Sequence, residues 1–135
     1  MILPVGQRVV CIAAGLLITL LVSQQPAGIL GRWVGESHCV GSRPACHDEH
    51  VIYQIDSTSQ RQLTLQGSRI AGRDTVVMGA LSCERATPEA EVICRMPVGT
   101  WHFSVAQGRL EGFLRLADST VMRRVVAYRA QPNTR

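Results

Sequence analysis

Two neighbouring stretches of the sequence decide the fold: GRWVGESHC at residues 31–39 and CHDEHVIY at residues 46–53. In an extended strand successive side chains point to opposite faces, so Trp33 and Gly35 share one face of the first stretch. In the second stretch, apolar residues recur at every other position beginning at Val51. A period of two is typical of β-strands with one buried face. We therefore interpret the two stretches as the opening hairpin of a small β-barrel.

The rest of the chain continues with short segments of the same kind. Turn residues separate apolar runs at intervals of roughly 10–12 residues, and no segment after residue 28 has the period of an amphipathic helix. The predicted strands cover residues 31–40, 49–56, 62–67, 75–83, 91–96, 100–106, 110–116 and 121–128. The segment from residue 67 to residue 74 contains two glycines and is predicted to be a loop. The pattern predicts an all-β fold, a single antiparallel up-and-down β-barrel of about eight strands at residues 28–130, followed by a polar tail at 131–135.

Residues 1–27 predict an N-terminal hydrophobic signal helix. Arg8 precedes an apolar run from Val9 to Val22, whose length is typical of a signal peptide and short for a membrane-spanning helix. Polar and helix-breaking residues follow, and we expect cleavage after Ala27. Gln25 stands where a cleavage site has a small residue, so an uncleaved membrane anchor is the alternative. We expect an exported protein, periplasmic or secreted in the first case and membrane-anchored in the second.

The cysteines predict two disulfide bonds. Cys11 falls in the leader, and the other four cysteines fall in the predicted barrel. An even number in an exported domain indicates disulfides, and four cysteines allow three pairings. Local order favours Cys39–Cys46 and Cys83–Cys94, because each pair flanks a short polar turn between two strands. Each bond would clamp the end of a hairpin and stabilise the domain by roughly 2–3 kcal/mol.

The charged residues argue against a nucleic-acid partner. The net charge is +4 and every cation is an arginine, but the arginines are scattered along the chain. A nucleic-acid-binding surface requires cations clustered on one face or segment. We expect no nucleic-acid partner, and contact with a membrane only if the leader is retained.

The run CHDEH at residues 46–50 contains residue types that bind metals, but its spacing argues against a metal site. A cysteine in a disulfide is no thiolate ligand, and His47 and His50 point to opposite faces of an extended strand. If the segment is a turn instead, both imidazoles converge with His38. The sequence contains no motif for a nucleophilic serine, a zinc protease or a phosphate loop. We therefore expect no metal, no cofactor and no enzymatic activity.

A set of apolar residues is predicted to face the barrel interior. The set consists of Tyr53, Met78, Met96, Trp101, Phe103, Val105, Leu114 and Leu116. In an eight-stranded barrel such side chains either fill the interior or line a pocket for one small ligand. If they line a pocket, the expected ligand-binding residues are Tyr53, Trp101 and Phe103, with His38 or an inward arginine as a further polar group.

The motif Gly31-x-Trp33 on the first strand, together with Arg123 and Arg124 on the last, resembles the structural signature of lipocalins and the wider calycin superfamily. The resemblance implies a closed barrel end where Arg124 or Arg123 packs on Trp33, a cation–π contact worth about 1 kcal/mol. The domain departs from typical lipocalins in being shorter and in lacking the helix that flanks their last strands. The run CHDExVxY at residues 46–53 is also similar to one in uncharacterised exported bacterial proteins.

These observations predict a non-enzymatic binding module whose partner is a small apolar or amphipathic molecule held in the barrel mouth. The alternative is an exported interaction protein, such as an inhibitor, that acts through its surface on a partner protein. A third function, structural support in the cell envelope, requires a retained leader. The first function predicts a cavity of a few hundred Å³, on the order of ordinary ligand pockets. The second predicts a filled barrel and an exposed apolar patch near one rim.

Overall fold

The computed structural model describes residues 28–87 and 90–131. These residues form eight antiparallel strands that pair in chain order, and the last strand pairs with the first. The strands are β1 (Gly31–Cys39), β2 (Glu49–Ser57), β3 (Gln62–Ala71), β4 (Asp74–Arg85), β5 (Glu91–Met96), β6 (Gly99–Ala106), β7 (Arg109–Leu116) and β8 (Val121–Arg129). The predicted all-β, up-and-down barrel is confirmed, and its architecture is compatible with a lipocalin-like fold.

Two predictions lie outside the described residues, namely the signal helix at 1–27 and most of the polar tail at 131–135. Within the ranges that the structure describes, no helix is long and apolar enough to cross a membrane.

The alternation of side chains across each strand builds the core. Val51, Tyr53 and Ile55 of β2 are buried, whereas the residues between them are only partly so. The same alternation buries Leu63 and Leu65 of β3. Because the sheet closes on itself, the inner faces of all strands share one interior, and apolar side chains pack there without a second layer.

Ile29, Trp33 and Arg129 close one end of the barrel, which we call the closed end. Trp33 is completely buried, and its indole N–H donates to the carbonyl oxygen of Ile29 at 2.9 Å. The Arg129 guanidinium carbon lies 4.4 Å from the indole ring centroid, and the same group donates to two backbone carbonyl oxygens just before β1. Gly31 has a φ of +116°, and a Cβ atom there would lie 3.0 Å from an Arg129 nitrogen. The glycine of the Gly-x-Trp motif is therefore required by both its backbone and its neighbour.

The arginine that packs on Trp33 is Arg129, and not Arg124 or Arg123 as the family resemblance implies. In the register of β1 and β8, Arg129 pairs with Trp33, whereas Arg124 pairs five residues further along β1. At a rise of about 3.3 Å per residue, Arg124 lies roughly 16 Å from Trp33 along the strand. Arg124 is on the outer face, with its guanidinium carbon 6.0 Å from the Phe113 ring centroid. Arg123 faces inward but lies near the other end of the barrel.

The predicted loop at residues 67–74 is mostly strand. β3 continues past Gly67, and only a two-residue turn, Gly72 and Arg73, separates β3 from β4. Gly72 has a φ of +62°, which explains a glycine in this turn. Gly67 lies inside β3 at a register shift, and a Cβ atom there would lie 3.4 Å from the Tyr53 ring. This glycine marks a close approach of two strands and not the end of a strand.

Both predicted disulfides are present, Cys39–Cys46 and Cys83–Cys94. The first closes the loop that follows β1, and the second joins two directly paired residues of β4 and β5 whose Cα atoms are 4.2 Å apart. Disulfides persist in oxidising compartments and are rare in the reducing cytosol of mesophiles. The two bonds therefore indicate a non-reducing environment.

β4 and β5 form the weakest junction in the barrel wall, which we call the seam. Only Cys83–Arg85 of β4 pair with β5, whereas every other junction between neighbouring strands contains at least six residue pairs. β5 ends at Met96 and the chain turns at Pro97 into β6, so no following strand within the described ranges pairs with Asp74–Ser82. The wall is therefore open along the seam at the end opposite to Trp33.

Candidate functional site

A cavity of about 440 Å³ lies inside the barrel, toward the end opposite to Trp33. We call that end the open end, and the turns after β1, β3, β5 and β7 surround it. All eight strands contribute residues to the lining of the cavity, and the contribution of β5 is Met96. Residues of β4 and Met96 extend the lining to the seam. Its volume falls in the range of small-molecule sites. The barrel is therefore not completely filled.

Tyr53, Phe103 and Trp101 form an aromatic wall of the cavity. The Trp101 and Phe103 rings stack with centroids 5.2 Å apart and an interplanar angle of 13°. Tyr53 meets Phe103 edge-on, with centroids 5.6 Å apart. Met78 and Met96 border the cavity at the seam, where their flexible side chains can adapt to different shapes. The three residues predicted to contact a ligand are therefore brought together, in a wall that suits an apolar or flat molecule.

Arg123 and Glu49 provide two opposite charges in the wall of the cavity. Arg123 extends inward from β8, and its guanidinium donates to the Ser37 hydroxyl at 3.0 Å and to the His47 carbonyl oxygen at 2.8 Å. The same guanidinium lies 3.8 Å from the Glu49 carboxylate. The Arg123 side chain is only 15% exposed, so its charge acts with less screening than a surface arginine. We call Arg123, Ser37 and Glu49 the polar pole of the cavity.

The Tyr53 hydroxyl is the second polar feature. Burial raises the pKa of the Tyr53 phenol well above its usual value, with nearby Arg123 opposing the rise and Glu49 adding to it. The hydroxyl therefore keeps its proton near neutral pH and can donate a hydrogen bond. No residue in the described ranges hydrogen-bonds it, and those ranges hold no fully buried polar side-chain atom without a partner. The hydroxyl is thus accessible from the cavity.

His38 does not line the cavity, which corrects its predicted role as a ligand contact. Ser37 faces the interior, so His38, its neighbour, points to the outer surface and is half exposed. Its Nε2 lies 2.9 Å from the Glu36 carboxylate, and its Nδ1 lies 3.2 Å from the Asp48 carboxylate. Because successive side chains of a strand point to opposite faces, Ser37 belongs to the polar pole and His38 lies outside the barrel.

The histidines of the first hairpin do not converge on one point inside the barrel. His50 lies on the outer surface with its Nδ1 3.7 Å from Glu36, and His47 contributes its backbone carbonyl to Arg123. Among the residues at 28–87 and 90–131, no group of three or more His, Cys, Asp or Glu side chains is arranged to hold a metal ion.

We expect NMR titration to give His38 a pKa above 6.5, because the hydrogen bond to Asp48 raises the pKa and Glu36 adds to the effect. The charged imidazole stabilises the hairpin fully below the unfolded pKa of 6.5, and this contribution disappears as the pH rises through the higher folded value. Asp48→Asn should lower the pKa of His38. An unchanged titration in that variant would contradict the contact.

Sequence reasoning missed Ser37, Glu49 and the position of Arg123 in the cavity. The sequence does indicate the inward direction of two of these side chains. Ser37 lies an even number of residues from Trp33, and Arg123 lies two residues from the apolar Val125, so each shares the face of its inward neighbour. The meeting of the three side chains depends on the register of β1 with β2 and β8. A single sequence does not give that register.

No protein-family model matches the chain, and a comparison with curated proteins found no similar sequence.

Proposed function

We propose that this chain is an exported, non-enzymatic binding module that holds one small, largely apolar molecule in the barrel cavity. The observation that carries the proposal is a cavity of about 440 Å³ with an aromatic wall and a polar pole. The wall gives an apolar body a surface to pack on, while Arg123 and the Tyr53 hydroxyl donate to an acceptor group on the ligand. Sites of this composition, mostly apolar with few polar groups, are typical of small-molecule binding.

Two further features support the proposal. The two disulfides fit an exported protein, whether periplasmic, secreted or anchored through its leader. The closed end built from Gly31, Trp33 and Arg129 is similar to the arrangement that the lipocalin resemblance implies, although the arginine differs. On this proposal the closed end is structural, and ligands enter through the open end or the seam.

A fluorescence titration with 1-anilinonaphthalene-8-sulfonate tests the proposal, because this probe combines an apolar body with an anionic acceptor. We expect Gly67→Leu to weaken its binding by at least about tenfold, equivalent to about 1.4 kcal/mol, since the added side chain projects beside Tyr53 and Met78 into the cavity. The matched control is Gln66→Leu, which places the same side chain on the outer face.

Circular dichroism must show that both variants fold. Leu81→Trp is a second filling variant, since Leu81 pairs with the buried Leu65 on the inner face and borders the cavity from the seam. Probe binding that both filling variants leave unchanged would place the probe elsewhere and contradict the proposal.

A second candidate function is interaction with a partner protein through the surface. The observation that favours it is an exposed apolar patch at the open end, which includes Val76, Val77 and Met78 of β4. The chain thus has both the cavity expected of a carrier and the patch expected of an interaction protein.

A further inference from the structure

The outer edge of β4 has no neighbouring strand over most of its length. Among the described residues, β5 pairs with β4 only at Cys83–Arg85, which leaves Asp74–Ser82 paired on the β3 side alone. Backbone N–H and C=O groups along such an edge are a template for another strand. β5 cannot extend along this edge, because the chain turns toward β6 after Met96 and Pro97 has no N–H group to donate to β4.

Exposed apolar residues concentrate beside this edge. Of the seven large apolar side chains exposed within the described residues, five belong to it or to its surroundings: Ile70, Val76, Val77, Met78 and Val98. Val77 is 59% exposed and Val98, in the turn across the seam, is 55% exposed. Soluble proteins usually protect a free edge with charges, proline or a β-bulge. β4 has a bulge at Met78, between the pairs Ser68–Val77 and Gly67–Gly79, but it has no charged residue or proline from Thr75 to Ser82. An exposed apolar edge without charges indicates a binding surface.

The cavity opens directly behind this edge. Residues 78–81 of β4 and Met96 of β5 line the cavity from the two sides of the seam. A strand added to β4 would occupy the position that β5 leaves open, and its side chains would alternate between the outer surface and the cavity. An apolar side chain of that strand can therefore reach the space between Met78 and Met96.

Two arginines beside the edge supply a charge for the partner. Arg69 pairs with Val76 across the hairpin and Arg73 lies in the turn before β4, and both are exposed. Neither guanidinium makes an ion pair or hydrogen bond with another described residue, whereas the Arg95 guanidinium on the seam is paired with Glu84 at 3.2 Å. Asp74 offsets one of the two charges, so a cationic surplus remains at this end of the edge.

We propose that the free edge of β4 binds an extended segment of a partner protein by β-strand addition. The segment runs antiparallel to β4, as β5 does, with apolar residues at alternate positions and acidic residues at its C-terminal end beside Arg69 and Arg73. A backbone partner is required because only a second strand satisfies a row of alternating donors and acceptors. The inference deepens the second candidate function and does not depend on a ligand in the cavity.

Hydrogen exchange of the protein expressed with all 135 residues tests this inference. The probe is the synthetic peptide acetyl-TVTLTVDE-amide, and we expect it to slow exchange at the amides of residues 74–82 that face away from β3. The same peptide methylated at alternate backbone nitrogens should give no protection, since it cannot complete the ladder. Arg69→Glu combined with Arg73→Glu should weaken binding about fivefold, as expected for two exposed ion pairs. A peptide ending in two lysines should restore binding to that variant.

Three results would overturn the inference. The first is no protection by the peptide, and the second is equal binding of the methylated peptide, which would indicate ordinary apolar contact. The third is a dimer that protects the edge without peptide and that Val77→Lys dissociates, which would assign the edge to a second copy of the chain. None of these results affects the cavity test, because binding of the fluorescent probe and its loss in Gly67→Leu are measured separately.

Discussion

Replacing Trp33 with alanine should lower the free energy of unfolding by about 4 kcal/mol, the largest effect of a single substitution that we expect here. Trp33 is the largest fully buried side chain of the described core, so its removal leaves a void at the closed end. The change also deprives the Ile29 carbonyl of its donor and Arg129 of the ring on which it packs. Since domains of this size are stable by only about 5–15 kcal/mol, the variant should be close to unfolding at growth temperature.

Urea denaturation measures this loss, and a lower midpoint with an unchanged slope is the expected result. Trp101→Ala is the matched control, because it removes the same side chain from a position that is only partly buried and borders an existing cavity. We expect it to cost less than half as much. Equal losses in the two variants would contradict the distinction between a packed closed end and an open cavity.

Replacing both Cys83 and Cys94 with alanine should lower the free energy of unfolding by about 3 kcal/mol or more. The disulfide joins β4 to β5 at one of only three residue pairs in the seam. Without the disulfide, only the backbone pairing of three residues of β4 with three residues of β5 holds the barrel closed at the seam. We therefore expect the variant to lose stability and also to expose β4 and β5 to faster hydrogen exchange than the other strands.

The matched comparison is Cys39→Ala combined with Cys46→Ala. The two disulfides span similar sequence separations, 11 and 7 residues, so chain entropy predicts nearly equal contributions. The Cys39–Cys46 bond closes a loop that follows β1 and crosses no strand junction. A larger loss for the Cys83–Cys94 variant, with exchange localised to the seam, identifies the weak junction. A larger loss for the Cys39–Cys46 variant would show that the seam does not depend on its disulfide.

Much of the fold could be predicted because alternation is a local property. The period of two around Val51 and Trp101 predicts both the strands and the side of each strand that faces inward. Tyr53, Trp101 and Phe103 were therefore predicted to face the interior together, as they do. The short spacing within each cysteine pair likewise predicted the two disulfides.

The remaining features depend on contacts between distant parts of the chain. The choice of Arg129 over Arg124 as the partner of Trp33 is set by the register of β1 and β8, the first and last strands. Gly67 resembles a loop residue in the sequence, but its function is to let Tyr53 and Met78 approach β3. The open seam results from the unequal lengths of β4 and β5, which only their pairing reveals.

The cavity and the free edge are two consequences of one structural feature. Because β5 is short, the wall beside Met78 and Met96 is incomplete, and the interior is accessible from the side. The disulfide at Cys83 and Cys94 holds the barrel together at the boundary of this opening. A long β5 would close the wall, bury the edge of β4 and restrict entry to the open end alone.

The most direct test of the account is native mass spectrometry of the protein purified under non-reducing conditions from the cells that produce it naturally, or from their medium. We expect a species heavier than the chain by the mass of one small molecule, which is lost on denaturation and is missing from Gly67→Leu prepared in the same way. The control variant Gln66→Leu should retain the added mass. A bare chain in the wild-type preparation, or an added mass that survives in Gly67→Leu, would contradict a ligand held in the barrel cavity.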